Sequence, residues 1–305
     1  MPTLKEIKGR IASVKSTLKI TSAMKLVSSA KLRKAQNAIE AMRPYEQQLQ
    51  AILGALSDAP CTDEAVLVHE PVMAGTDRSL PTAIVAIASN SSLCGGFNAN
   101  AIAKVRSERR PGDVVYSVGR KMADAMRKDG FPSPADFTAL AEHPAYGPAA
   151  DLVERLAEDV EEGRIGKVLL VYNHFVSTAR QVPVVEVLLP VKGDPSALAE
   201  PQDDNSHSEQ LPCHSERSEE SQDAIIEPSR EALLHLLLPK TLKLKLYAAL
   251  LDSAAAEHAA RTIAMQTATD NANELLDDLT LQYNKGRQQK ITNEILDLAG
   301  GQAAN

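Results

Sequence analysis

Tryptophan is missing from this 305-residue chain and aromatic residues make up only 3% of it, a composition of long helices rather than of a β-sandwich. The three cysteines, Cys61, Cys94 and Cys213, are odd in number, far apart and without CxxC spacing, so neither a disulfide framework nor a zinc site is expected. No run approaches the ~18 apolar residues of a membrane helix, and charged residues stand where a signal peptide needs an apolar stretch. The expectation is a soluble chain in a reducing compartment. There is no GxxxxGK[ST] loop, and no GxGxxG follows the first predicted strand. None of the seven histidines has metal-ligand spacing to another histidine or cysteine; His258 is read as a polar core position. No catalytic, cofactor-binding or metal-ligating residue is therefore expected.

What the chain does contain is 44% hydrophobic residues, enough for a core, and an uneven charge distribution beneath a net charge of −7. Residues 1–45 hold ten Lys or Arg against Glu6 and Glu40, whereas residues 194–223 hold nine Asp or Glu against Arg217. The two regions are built for different surroundings.

From Leu4 onward the apolar residues recur every seven positions. One set is Leu4, Ile11, Leu18, Leu32, Ile39 and Leu53, and the other is Ile7, Val14, Ala35, Met42, Leu49 and Leu56; the repeat fails at Lys25, Glu46, Thr21 and Ser28. Twelve matches in sixteen positions predict a coiled-coil helix, with a bend or break at Pro44. A similar stripe runs through Leu244, Tyr247, Leu251, Ala254, Met265, Ala268, Ala272, Leu275 and Leu279. The roughly sixty residues from Lys240 to Ala299 predict a helix of ~90 Å, at 1.5 Å per residue. A helix that long cannot bury its stripe in its own domain, and the N-terminal helix is its natural antiparallel partner.

Between the two helices the pattern changes. Strands are predicted at Thr82–Ala88, Asp113–Val118, Lys167–Tyr172 and Gln181–Leu189, the last hairpinned through a turn near Ser177. Helices are predicted at Asn98–Arg109, Arg120–Lys128 and Pro148–Glu162, so the alternation implies an α/β sheet. Residues 193–223 are polar and acidic and read as a disordered insertion.

Two motifs allow more than one reading. In SSLCGGFN, Cys94 could be a nucleophile on a strand-to-helix turn, but a glycine pair that lets the chain turn into a helix accounts for Gly95 and Gly96 more simply. The basic stretch Lys5, Lys8, Arg10, Lys15, Lys19, Lys25, Lys31, Arg33 and Lys34 suits solvated flanks of a coiled coil, a nucleic-acid or membrane surface, or an acidic protein partner. Composition does not choose among these. For nucleic acid, base-stacking aromatics are wanted, and Tyr45 is the only aromatic in the first helix.

The segments LKEIKGRIASVKSTLKITSAMKLVSSAKLRKAQ and EHAARTIAMQTATDNANELLDDLTLQYNKGRQQKITNEILDLAGG closely resemble the first and last helices of gamma subunits of F-type ATP synthases. SLCGGFNANAI, KVLLVYNHF and EPSREALLHLLLP resemble family segments too, so the likeness spans nearly the whole chain apart from the insertion. It implies an α/β fold with a long antiparallel two-helix coiled coil formed by the N- and C-terminal helices, and a central Rossmann-like α/β domain. The boundaries are 1–58 for the first helix, 76–192 for the α/β domain, 193–223 for the acidic insertion, 224–238 for the return to the stalk and 239–305 for the last helix.

The same resemblance implies a non-catalytic rotary central stalk of a proton-translocating ATP synthase. It implies alpha, beta and epsilon subunits and a membrane c-ring as partners, with no nucleic acid and no direct membrane insertion, on the cytoplasmic face of a bacterial inner membrane. The alternative is a coiled-coil nucleic-acid-binding protein using the basic helix. Met24, Lys25, Arg261, Gln288 and Thr292 match family positions that contact the beta subunit, and Glu227 and Pro228 fall where the foot meets the c-ring or epsilon. The misses at Thr21, Lys25 and Ser28 fit a surface turned to a partner. Three departures stand out. The turn before Cys94 reads SNSS where many members are more charged; residues 193–223 are extra; and Cys213 is their only cysteine, so the paired-cysteine switch of photosynthetic members cannot form there.

Overall fold

A computed structural model describes residues 3–57, 80–189 and 230–302. The acidic stretch 193–223, Glu227, Pro228, Cys61 and Cys213 lie outside them.

Helix α1 spans Leu4–Ser57. Its start is set by a reciprocal cap that the heptad reading passed over: the Thr3 backbone N–H donates to Glu6 Oε2 at 2.9 Å, and the Glu6 N–H to Thr3 Oγ1 at 3.3 Å. Pro44 stands inside the helix, which continues beyond it to Ser57, so the predicted interruption is not a break.

The central elements are β1 (Thr82–Ile87), α2 (Phe97–Glu108), β2 (Val114–Val118), α3 (Arg120–Lys128), α4 (Thr138–Glu142), α5 (Tyr146–Glu161), β3 (Lys167–Phe175) and β4 (Gln181–Leu189). They build one four-stranded sheet in the order β2-β1-β3-β4. β1 runs parallel to β2 and to β3, while β4 returns antiparallel through the hairpin closed by Ser177 and Arg180. Alternate residues of β1 point to opposite faces, as a pleated strand requires. Ala83, Val85 and Ile87 join Leu152 and Leu156 of α5 on one face; Ile84 and Ala86 join Ala101 and Val105 of α2 and Met122 and Met126 of α3 on the other. After β2 the chain passes so close to β1 that a Cβ on Gly119, at φ +100°, would lie 2.1 Å from the Ala88 carbonyl oxygen. Only glycine fits that crossing.

Helix α6 runs from Arg230 to Gln302, with Pro239 inside it. It begins about ten residues before the heptad reading placed it, because its first part has a task that a two-helix stripe does not reveal. Leu242, Leu246, Ala249 and Leu250 belong to the core of the sheet face shared with α5. Ala255 and Ala259, by contrast, pack on Leu32 of α1. The foot of α6 is thus both a layer of the α/β domain and half of the coiled coil.

The two long helices are antiparallel. Leu4 lies over Gly286, Thr21 Oγ1 accepts a hydrogen bond from Thr269 Oγ1 at 2.9 Å, and Leu32 meets Ala255 and Ala259. Thr21 and Ser28 are buried, at 8% and 3% exposure. The expectation that they face a partner is therefore corrected: they are polar positions of the seam, small enough for the backbones to approach. Since α1 starts at Leu4 opposite Gly286, the last turns of α6 extend past it, and Ile291, Ile295 and Leu296 are exposed.

Candidate functional site

The residues expected to meet a partner do not converge into a pocket. They are strung along the shaft. Met24 and Lys25 are partly buried on α1, near exposed Ile20, Leu26 and Val27. Gln288 and Thr292 are exposed one turn apart on the overhang of α6, where Thr292 Oγ1 donates to the Gln288 carbonyl at 3.0 Å. They stand ~40 Å above Arg261 along the helix axis, at 1.5 Å per residue.

Arg261 behaves differently from the others. It is 8% exposed, and its guanidinium donates through Nη1 to Glu257 Oε1 at 2.6 Å and through Nη2 to Ser91 Oγ at 2.8 Å. The expected bond to another subunit is not the commitment that this side chain makes within the chain. The Glu257–Arg261 spacing of one helical turn was legible in the sequence as a favourable pair; the recruitment of Ser91, 170 positions away, was not. Burial pushes the Glu257 carboxyl above its ordinary value, against the pull of Arg261 and Lys31. Next to it, burial chiefly, with Arg261 and Lys31 adding to it, pushes His258 down to about 4, so its imidazole is neutral at pH 7. His258 Nδ1 is buried without a hydrogen-bond partner.

Ser91 belongs to the turn between β1 and α2, which is braced from inside. Ser89 N–H and Oγ both donate to Asn98 Oδ1, at 3.0 and 2.9 Å, and Asn98 Nδ2 donates to Cys94 Sγ at 3.1 Å. Leu93 sits at φ +69°, an uncommon conformation for a residue with a side chain. Cys94 is 1% exposed and enclosed by Phe97, Ala256 and Ala260, which removes the nucleophile reading. A second set of contacts lies at the end of β3. Asp252 Oδ1 accepts from the Phe175 N–H at 3.1 Å, Asp252 Oδ2 is 2.6 Å from His174 Nδ1, and Asn173 Nδ2 donates to the Phe97 carbonyl at 3.1 Å.

These contacts occupy a telling place. In an open parallel sheet the ligand crevice lies at the carboxyl ends of strands where the strand order reverses, here between β1 and β3. That place is filled by α6, whose Ala256 and Ala260 pack on Cys94 and Phe97. Among the described residues, no group of three or more His, Cys, Asp or Glu is arranged to hold a metal ion, and no helix is long and apolar enough to cross a membrane.

A family model described as ATP synthase matches residues 3–304. The chain belongs to the ATP synthase gamma chain family. It is 47% identical to the ATP synthase gamma chain of Phocaeicola vulgatus, with all of both chains covered. It is 40% identical to that of Flavobacterium johnsoniae, covering all of this chain and 99% of the relative, and 39% identical to that of Heliobacterium modesticaldum at the same coverage. Among solved structures, the fold matches a chain of the Euglena gracilis mitochondrial ATP synthase assembly of OSCP, F1 and c-ring at TM-score 0.65, with 20% identity over 99% of this chain and 94% of that one. It also matches a chain of the Tetrahymena thermophila mitochondrial ATP synthase central stalk and c-ring at TM-score 0.52, with 21% identity over 82% and 99%. The family covers the basic first helix as well, so the nucleic-acid reading of that helix finds no support. As a family member the chain is a subunit of the ATP synthase complex, in the position of its rotary central stalk.

Proposed function

We propose that the chain is the non-catalytic shaft of a proton-translocating F-type ATP synthase, turning inside a ring of alpha and beta subunits while its foot rides on a membrane c-ring with epsilon. The observation that carries this reading is an electrical asymmetry between two helices at one level. Lys5, Lys8, Arg10, Lys15, Lys19 and Lys25 line α1, whereas the stretch of α6 opposite, residues 262–284, carries Asp270, Glu274, Asp277 and Asp278 and neither Lys nor Arg. A surrounding ring meets a positive side at one azimuth and a negative side at the opposite one. Rotation then changes which conformation of each catalytic subunit is favoured, since a ligand shifts an equilibrium only by its differential contact with the two states.

Within this reading Met24, Lys25, Gln288 and Thr292 supply the contacts with beta, whereas Arg261, expected at the same interface, is committed to Glu257 and Ser91 within the chain. Glu227 and Pro228 belong to the foot. The complex works on the cytoplasmic face of a bacterial inner membrane.

The test is reconstitution. Purified alpha and beta subunits are assembled with and without the chain, and ATP hydrolysis and proton pumping in the full complex are measured. Coupled turnover that depends on the chain, with no hydrolysis by the chain alone, is the expected result. ATPase activity in the isolated chain, or full coupling without it, overturns the proposal.

A further inference from the structure

The α/β domain is fastened to α6 by directional bonds at several levels, with Lys243 paired to Glu154 of α5 at its foot. At the top, Arg261 bridges Glu257 on its own helix and Ser91 on the β1–α2 turn. Nine residues lower, ~14 Å down the helix at 1.5 Å per residue, Asp252 takes the Phe175 N–H and faces His174 at the end of β3. Lower still, Lys245 Nζ pairs with Glu186 of β4 at 3.0 Å, and Glu186 also accepts from the Tyr172 hydroxyl at 2.6 Å. Between the upper two levels the packing is small and smooth, Ala256 and Ala260 against Cys94 and Phe97. Apolar contact is non-directional, and alanines offer little to interlock, so such a surface by itself resists sliding and twisting poorly. Charge-assisted hydrogen bonds have fixed geometry and resist both.

The parts are also stiffened on each side. Glu257 orients the guanidinium fork, and a lysine could not serve two partners in that planar way. Ser91 stands on a turn held by the Ser89, Asn98 and Cys94 bonds, and Asn173 ties that turn's helix to β3.

Resting on the rotor reading above, we propose that Arg261 and Asp252 form a torque-bearing joint, through which rotation delivered to the α/β domain is handed to α6 and so to the shaft. They are positioning residues. Their role is mechanical coupling between two parts of one chain, and Ser91 and His174 are their receivers on the domain side.

The joint is tested in the assembled membrane complex with Ser91→Ala, Asp252→Ala and the double variant, all outside the proposed contact surface with beta. Two quantities are read: ATP hydrolysis by the detached catalytic sector, and protons pumped per ATP against an opposing proton gradient. Hydrolysis at the wild-type rate with a loss of pumping per ATP, growing as the gradient grows, is expected. Ser91→Thr keeps the hydroxyl and should restore the ratio. Hydrogen exchange across residues 249–261 should quicken about tenfold per tie removed, as for loss of one hydrogen bond. Should the double variant fail to assemble, the single variants carry the same measurements. Wild-type pumping per ATP in the variants at every gradient overturns the joint and leaves the rotor reading intact. A wild-type complex whose coupling does not need the chain overturns the rotor reading instead.

Discussion

Two stretches of α6 share one helical periodicity and lie in different surroundings. Between Leu242 and Arg261, α6 is buried on two sides, with Leu246, Ala255, Ala256 and Ala259 at 0% exposure. Further up, Leu281 is 70%, Ile295 59% and Leu296 62% exposed. Helical periodicity is common to both, so the difference comes from what lies opposite. The lower stretch has the sheet on one side and α1 on the other, whereas the upper one has α1 along one side as far as Gly286 and outruns the start of α1 beyond it. Under the proposed function, the lower stretch holds the domain and the upper one meets the surrounding subunits.

The sharpest way to break this contrast is Arg261→Met. Leaving Glu257 buried without its partner should cost about 3–5 kcal/mol, the range for breaking a buried pair. Denaturant unfolding of the purified chain measures it. The loss should also depend on pH in a definite direction. Glu257 titrates above its ordinary 4.5 in the folded chain, because burial outweighs Arg261. Its contribution to stability is therefore full below that ordinary value and is lost as pH rises through the folded one. Removing Arg261 raises the folded value further, so the variant should lose least in acid and most at neutral pH. A loss that does not vary with pH would show that Glu257 is not the group left stranded.

Next in size is Leu250→Ala, set against Leu281→Ala. Leu250 is 2% exposed within the shared core, and its truncation should cost about 2–5 kcal/mol. Leu281→Ala should stay within about 0.5 kcal/mol, as for other exposed positions. Equal losses would mean that the outer face of the shaft at Leu281 is covered within the chain.

A smaller effect is expected from His258. Its folded value of about 4 lies below the ordinary 6.5, so the neutral ring contributes stability above 6.5 that is lost as pH falls from there towards 4. In His258→Gln that part of the pH profile should flatten. An unchanged profile between pH 6.5 and 4 would remove His258 as its source.

Smallest of all for stability, and for that reason the most informative about function, are Gln288→Ala and Thr292→Ala. Both residues are exposed, and folding should change by less than about 0.5 kcal/mol. If they bond to beta at some rotor angles, turnover in the assembled complex should fall by the equivalent of about 0.5–1.5 kcal/mol each. Unchanged turnover in both variants would return the overhang to a bare helix end.

Much of the architecture was legible before any coordinates. The seven-residue stripe from Leu4 to Leu56 and its counterpart beyond Leu244 predicted the antiparallel pair, and Thr82–Ala88, buried on both faces, predicted a central strand. Short or polar signals were harder to read. α4, five residues at Thr138–Glu142, is too brief to show a period. Thr21 and Ser28 looked like failures of the seam because a heptad template counts only apolar residues, yet Thr21 is satisfied there by Thr269. At Arg261 the template had no means of telling a charge turned to a partner from a charge paired inside.

Local chemistry along the chain determined the helices, the strands, the capped start at Thr3 and the antiparallel sense of the pair, since each depends on neighbours within a few residues or on a stripe repeated over many turns. Tertiary structure decided that the foot of α6 is a layer of the sheet domain, that it fills the crevice between β1 and β3, that Arg261 meets Ser91, and that Asp252 meets His174 and Phe175. Those contacts join residues up to 170 positions apart. No periodic pattern encodes such a meeting, because it arises only once the sheet has formed and its carboxyl edge has a surface for the helix to fit.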